Sequence, residues 1–169
     1  MAIDSHWNDT VLLMPFAGAN GSQGIIDEKH HAIEITGSAV LSTIQAPAGC
    51  TSSLYLNGNN SYLSAISPAN YDLRILFGEF AIEFPFYWLG DTVTGTANSA
   101  ILIDSRTSSG FDLEMSVTGS TAADPKKIQV YLHGATRMTS TTAMSTAWNW
   151  ITLARVWDGS AYKLRLFIN

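Results

Sequence analysis

Cysteine is almost absent from this sequence. Cys50 is the only one in 169 residues, so no disulfide forms within the chain and the fold rests on burial. With no activating base beside it in sequence, Cys50 reads as a small buried apolar residue. Charge is scarce too. Asp, Glu, Lys and Arg make up 14% of the chain, against roughly a quarter in an average soluble protein. Ser, Thr, Asn and Gly must therefore carry the surface, a composition frequent on extracellular β-proteins and virion proteins. The net charge is −5 and no basic cluster occurs, which excludes the electrostatic footprint of a nucleic-acid binder. Long apolar runs are missing as well. "VLLMPFAG" is too short to span a bilayer, and Asp4 and Asp9 precede it where a signal peptide carries Lys or Arg. It reads as a buried strand. Synthesis in a host cytoplasm without a signal peptide is the expectation. Finally, no segment keeps a 3.6-residue apolar period over three turns, so no helix is predicted.

What is present is apolar residue, 46% of the chain, arranged in short alternating runs with turn residues between them. "TVLLMPF", "HAIEITG" and "AVLSTI" come first. "SLYL" and "YLSAI" flank "NGNNS", which reads as a hairpin turn. "SPANYDL" reads as a short irregular or 3₁₀ connection. In "EFAIEFPFYW", Phe80, Ile82, Phe84, Phe86 and Trp88 share one face. Pro85 within it predicts either an edge strand or a bulge, because proline cannot donate to a ladder. "AILIDS", "FDLEMSV", "IQVYLHG" and "WNWITLARVW" follow. The last run, "YKLRLFIN", sets Tyr162, Leu164, Leu166 and Ile168 on one side and Lys163, Arg165 and Phe167 on the other. About ten strands with polar turns, no linker signal and no repeat predict one all-β domain over residues 1–169. Its expected form is an antiparallel two-sheet jelly-roll sandwich.

Several segments, in this order, resemble concanavalin A-like (laminin G-like) domains. They are "SLYLNGNNSYLSAIS", "FGEFAIEFPFYW", "SSGFDLEMSV" and above all "WNWITLARVWDGSAYKLRLFIN". The opening "HWNDTVLLMPFAGANGS" is similar to the start of versions found in bacteriophage structural proteins. The resemblance implies a lectin-like jelly roll. Pro85 departs from it, standing where the family usually has Trp. So does the lack of the strands that normally follow "F-x-N". On that comparison the sandwich is short of C-terminal strands, and unpaired backbone groups cost roughly 1–3 kcal/mol each when buried. The expectation is that Tyr162, Leu164, Leu166, Phe167 and Ile168 form a docking edge. Either a rerouted N-terminal segment or another chain fills it by strand addition.

Catalytic patterns are weak. The glucanases among similar jelly rolls carry "E-x-D-x-x-E", and no such string occurs here. Asp112 and Glu114 lie about 7 Å apart on one face of a strand, within the range for an inverting glycosidase, but on the polar face of an amphipathic strand. Glu79 and Glu83 are about 13 Å apart, too far for paired acid–base work. No G-x-S-x-G elbow supports a nucleophilic triad. His30 and His31, beside Asp27 and Glu28, read as a solvated loop, since no spacing matches a zinc or EF-hand pattern. No cofactor is predicted. Calcium enters only through the resemblance, with Asp27, Asp104 and Asp158 as the carboxylates at hand. Sugar binding needs an aromatic platform with polar groups beside it. Two sets fit: Tyr131 with His133 and Gln129, and Arg155 with Trp157 beside the Asp158-Gly159 turn. The alternative for Trp148, Trp150 and Trp157 is that they fill the core or the docking interface.

The functional expectation is a non-enzymatic virion structural protein. It would be a capsid decoration or tail-associated subunit at the virion surface, with other protein chains, in a virion or a homo-oligomer, as its partners. The alternative is a carbohydrate-binding module for host-surface glycans. A glucanase-type hydrolase is the weaker third reading.

Overall fold

The computed structural model describes residues 7–58, 60–66, 78–89, 99–107, 110–118, 126–132 and 135–169. Among them are eleven strands and no helix. Every pairing is antiparallel. The chain packs as two compact units, Met1–Leu73 and Arg74–Asn169.

The first unit holds β1 (Ala32–Thr36), β2 (Val40–Ser42), β3 (Ser53–Tyr55) and β4 (Tyr62–Ile66). Here the "NGNNS" expectation fails. The strands on either side of that turn are not partners: β3 pairs with β2 and β4 with β1. The reason lies in the opposite turn. Gly37 is at φ 70°, and a Cβ there would stand 2.4 Å from the Asn60 carbonyl oxygen. Only glycine lets the two connections approach so closely. Side chains then tie them: Asn57 Nδ2 donates to Ser38 Oγ at 2.6 Å, and Ser61 Oγ donates to Asn57 Oδ1 at 2.6 Å.

"TVLLMPF" is not a buried strand. It runs without a ladder, with Val11 and Leu13 exposed. Pro15 takes one donor away, and Phe16 breaks the extended run at φ 50°. Leu13 is held from outside instead, its N–H donating to Asp27 Oδ1 at 2.7 Å and its carbonyl accepting from Glu28 N–H at 2.8 Å. Cys50 is exposed, against expectation. It closes the Pro47–Cys50 turn, whose backbone bond is 3.0 Å and whose third residue, Gly49, has φ 83°. That is type II turn geometry, and it turns Cys50 out to solvent. "SPANYDL" lies outside the described residues.

The second unit contains a three-stranded and a four-stranded sheet. The first has the order β11 (Tyr162–Ile168), β10 (Trp148–Trp157), β5 (Phe80–Tyr87). The second runs β6 (Ser99–Thr107), β7 (Gly110–Thr118), β8 (Lys127–Leu132), β9 (Ala135–Thr139). Alternation decides what each sheet buries. Leu113, Met115 and Val117 of β7, and Ile128 and Val130 of β8, meet Ile151 and Leu153 of β10. Phe80, Ile82, Phe84, Phe86, Leu164 and Leu166 pack around them. Two sheets sharing one apolar core is β-sandwich architecture.

Pro85 stands on β5, which is an edge strand among the described residues. Ile151, opposite Phe84, carries the backbone groups that reach β5, because Trp150 spends its own on Asn169. In an antiparallel ladder such residues alternate, so Pro85 faces away from β10, where no donor is needed. Asn149, nearly fully buried, fastens the entry to β10. Its Oδ1 accepts from Ser145 N–H at 2.9 Å and Ser145 Oγ at 3.2 Å. Its Nδ2 donates to the Ser145 and Ala147 carbonyls at 3.1 and 2.7 Å. One strand, β9, had no signal in the sequence: "ATRMT" offers one large apolar residue, Met138, opposite Val130.

Candidate functional site

The final strand supplies the most distinctive surface. β11 lies at the rim of its sheet and pairs with β10 alone among the described strands. Its two faces divide as the alternation predicts. Leu164, Leu166 and Ile168 are half-buried, and Lys163, Arg165 and Phe167 are exposed. Tyr162 shares the inner parity but sits exposed at the strand's start.

The phase of the ladder follows from two bonds. Trp150 N–H donates to Asn169 O at 3.0 Å, and Asn169 N–H donates to Trp150 O at 3.3 Å. Hydrogen-bonded pairs then recur every second residue along the register. Phe167, Arg165 and Lys163 thus point their backbone groups at β10. Leu164, Leu166 and Ile168 point theirs outward from the rim.

The β10–β11 turn is held by Asp158. Its Oδ1 accepts from Ser160 N–H (2.9 Å), Ser160 Oγ (2.8 Å) and Ala161 N–H (2.9 Å), while Gly159 takes φ 96°. The backbone N–H of Ala161, then that of Ser160 and the Ser160 hydroxyl, pull its pKa down to about 2. Lys163 Nζ stands 3.6 Å from Oδ2. The turn engages Oδ1 of this carboxylate, and Oδ2 faces Lys163.

Beside the turn, the register sets Trp157 opposite Tyr162 and Arg155 opposite Leu164. Trp157 and Tyr162 meet edge to face at 5.1 Å, and the Arg155 guanidinium lies 4.2 Å over the Tyr162 ring. Arg155 also donates to the Gly78 carbonyl at 3.2 Å, and Trp157 N–H donates to Glu79 Oε1 at 2.8 Å. Trp157 remains 51% exposed. Tyr162 and Glu79 were not foreseen here; a four-residue turn after Trp157 implies Tyr162 as its cross-strand partner, and that was the available signal.

Tyr131 belongs to a different sheet, on the face of β8 opposite Ile128 and Val130, with its hydroxyl donating to Gln129 Oε1 at 2.8 Å. The structure does not bring it to Arg155 and Trp157. His133 and the side chain of Asp112 lie outside the described residues. Glu114 faces Asp104 across β6 and β7. Glu83 accepts from Thr152 Oγ1 at 3.4 Å.

Trp148, Trp150 and Trp157 do not fill the core. Trp150 is 48% exposed on the outer face of the three-stranded sheet, and Phe167 on the same face is 56% exposed. Trp148, half-buried on that face, meets the Tyr87 ring at a tilt, with centroids 5.5 Å apart. Phenylalanines and leucines of β5 and β11 already occupy the interior, so the tryptophans remain outside it.

In the first unit the two histidines part company. His30 is exposed at φ 69°, closing a turn onto the Asp27 carbonyl at 3.0 Å. The His31 side chain is only 6% exposed, with Nδ1 2.6 Å from Asp27 Oδ2. The solvated-loop reading therefore holds for His30 alone. An ionised carboxylate only accepts, so Nδ1 carries the proton. Asp27 is 5% exposed. Burial pushes its carboxyl up, but N–H groups of Leu13 and His31, the His31 ring and Lys29 N–H together hold it below its ordinary value. This pair is a clamp between the 11–16 segment and the 25–31 turn. Among the described residues no group of three His, Cys, Asp or Glu side chains could hold a metal ion.

No protein-family model, curated protein or solved structure matches the chain. Its own geometry must carry the functional reading.

Proposed function

We propose that this chain is a non-enzymatic structural subunit that docks into a larger assembly by adding a strand at the β11 rim. The observation carrying this reading is that rim: a seven-residue strand, paired on one side among the described strands, with outward backbone groups at Leu164, Leu166 and Ile168. A row of unsatisfied N–H and C=O groups is a template for a further strand. The low-charge, hydroxyl-rich composition and the concanavalin A-like sequence pattern support a virion-surface subunit, such as a decoration or tail-associated protein. The rim is tested by hydrogen exchange. In dilute isolated protein, the amides of Leu164, Leu166 and Ile168 exchange fast while those of Lys163, Arg165 and Phe167 are protected. In the assembled state all six are protected. Slow exchange at the first three in dilute protein would sink the reading.

A second reading rests on Trp157. An exposed indole braced by Tyr162, with Arg155 and Glu79 adjoining, has the parts of a sugar platform. It predicts glycan-array binding that is lost in Trp157→Ala and retained in Tyr131→Ala. An array without hits removes it.

A further inference from the structure

The rim also indicates what occupies it. We infer that the added strand is β11 of a second copy, running antiparallel, with a two-fold axis through Leu166. This rests on the docking reading above and names its partner.

Two conditions select the register. First, backbone phase: only even-numbered residues of β11 present outward groups, so they must pair with one another. Second, charge: Lys163 and Arg165 are exposed on the outer face, and like charges directly opposite are destabilising. Centring the pair on Leu164 sets Lys163 against Arg165 of the other copy. Centring it on Arg165 sets the two Arg165 side chains against each other at a non-hydrogen-bonded site, where side chains come closest. Centring it on Leu166 sets Arg165 against Phe167 and Lys163 against Asn169, with no like pair. Its inner row is wholly apolar: Leu166 against Leu166, and Leu164 against Ile168. Centring it on Phe167 also avoids repulsion but overlaps less of the Tyr162–Ile168 strand. The Leu166 register is therefore the longest one without repulsion. It puts each guanidinium beside an exposed aromatic ring, a favourable cation–π arrangement. The two three-stranded sheets join into one six-stranded sheet.

The test uses the full chain in sedimentation equilibrium across concentration. Phe167 is exposed and contributes nothing to the core, so it takes a charge without unfolding. Phe167→Glu faces Arg165 of the partner twice in the dimer and tightens association by about tenfold at low salt. Phe167→Lys loosens it comparably. In the Phe167-centred register the glutamates would face each other, and Phe167→Glu would weaken the dimer instead. Weakening by Phe167→Glu overturns the Leu166 register. So does failure of Leu166→Cys, in a Cys50→Ser background, to form an interchain disulfide. A wild-type chain that stays monomeric to millimolar concentration overturns the second copy as occupant. The docking reading is judged separately, by whether the Leu164, Leu166 and Ile168 amides gain protection in the native assembly.

Discussion

The phase of the β11 ladder is open to a direct test by paired proline and alanine substitutions. At Arg165 the N–H points at β10, opposite Ala154. Proline there deletes a ladder hydrogen bond and leaves the Ala154 carbonyl unpaired, a loss of about 1–3 kcal/mol. At Leu166 the N–H points outward, so proline deletes no bond within the chain. The side chains act in the opposite sense: Leu166 is half-buried and Arg165 exposed, and trimming Leu166 costs about 1–2 kcal/mol through lost burial. Alanine at each position removes that term. The expected result is that Arg165→Pro is less stable than Arg165→Ala by about 1–3 kcal/mol, while Leu166→Pro and Leu166→Ala differ by about 1 kcal/mol or less. Urea unfolding of dilute protein, followed by tryptophan fluorescence, measures all four. A proline-minus-alanine gap at Leu166 equal to or larger than that at Arg165 would show that the outward row has been assigned to the wrong residues. The proposed docking strand would fall with it.

Asn149→Ala strips the entry to β10 of four hydrogen bonds made by a nearly fully buried side chain; Ser145 and Ala147 are exposed, so water takes up their groups. It should destabilise by about 1–2 kcal/mol in the same assay. Asp27 has a folded pKa below its unfolded one, so its contribution is complete above about pH 4 and is lost as pH falls through the lower folded value. Asp27→Asn should be less stable at neutral pH and show a shallower acid loss, read from thermal melts between pH 2 and 7. Asp158, with a folded pKa of about 2, holds its turn down to about that pH. In Asp158→Ala the Ser160 and Ala161 amides should exchange faster in NMR, with the core amides unchanged.

Strand positions with a period of two were legible wherever one face is buried. The inner rows Phe80–Phe86, Leu113–Val117 and Leu164–Ile168 each alternate, because each faces the shared core. β9 escaped because an edge strand of Thr and Arg carries no such contrast. Partnering was less legible than strand identity. "NGNNS" has hairpin composition, yet the close approach at Gly37 directs β3 and β4 to other partners. Such a contact is long-range and leaves no local trace. The opening apolar run misled for a related reason: Val11 to Met14 have strand-like composition, but Pro15 and the Asp27 clamp hold them outside any ladder. At the candidate site, Arg155 and Trp157 were legible as neighbours along one strand. Tyr162 and Glu79 enter only through pairing, one across the turn and one from β5.

The two rims of the three-stranded sheet differ in kind. On the β5 side Pro85 interrupts the row of outward donors; on the β11 side every outward residue keeps its N–H. Growth by strand addition is therefore one-sided. Within this sheet, a copy that joins through its β11 rim offers only its proline-blocked rim to a third. Association through this sheet should stop at a closed pair and not run on into a fibre.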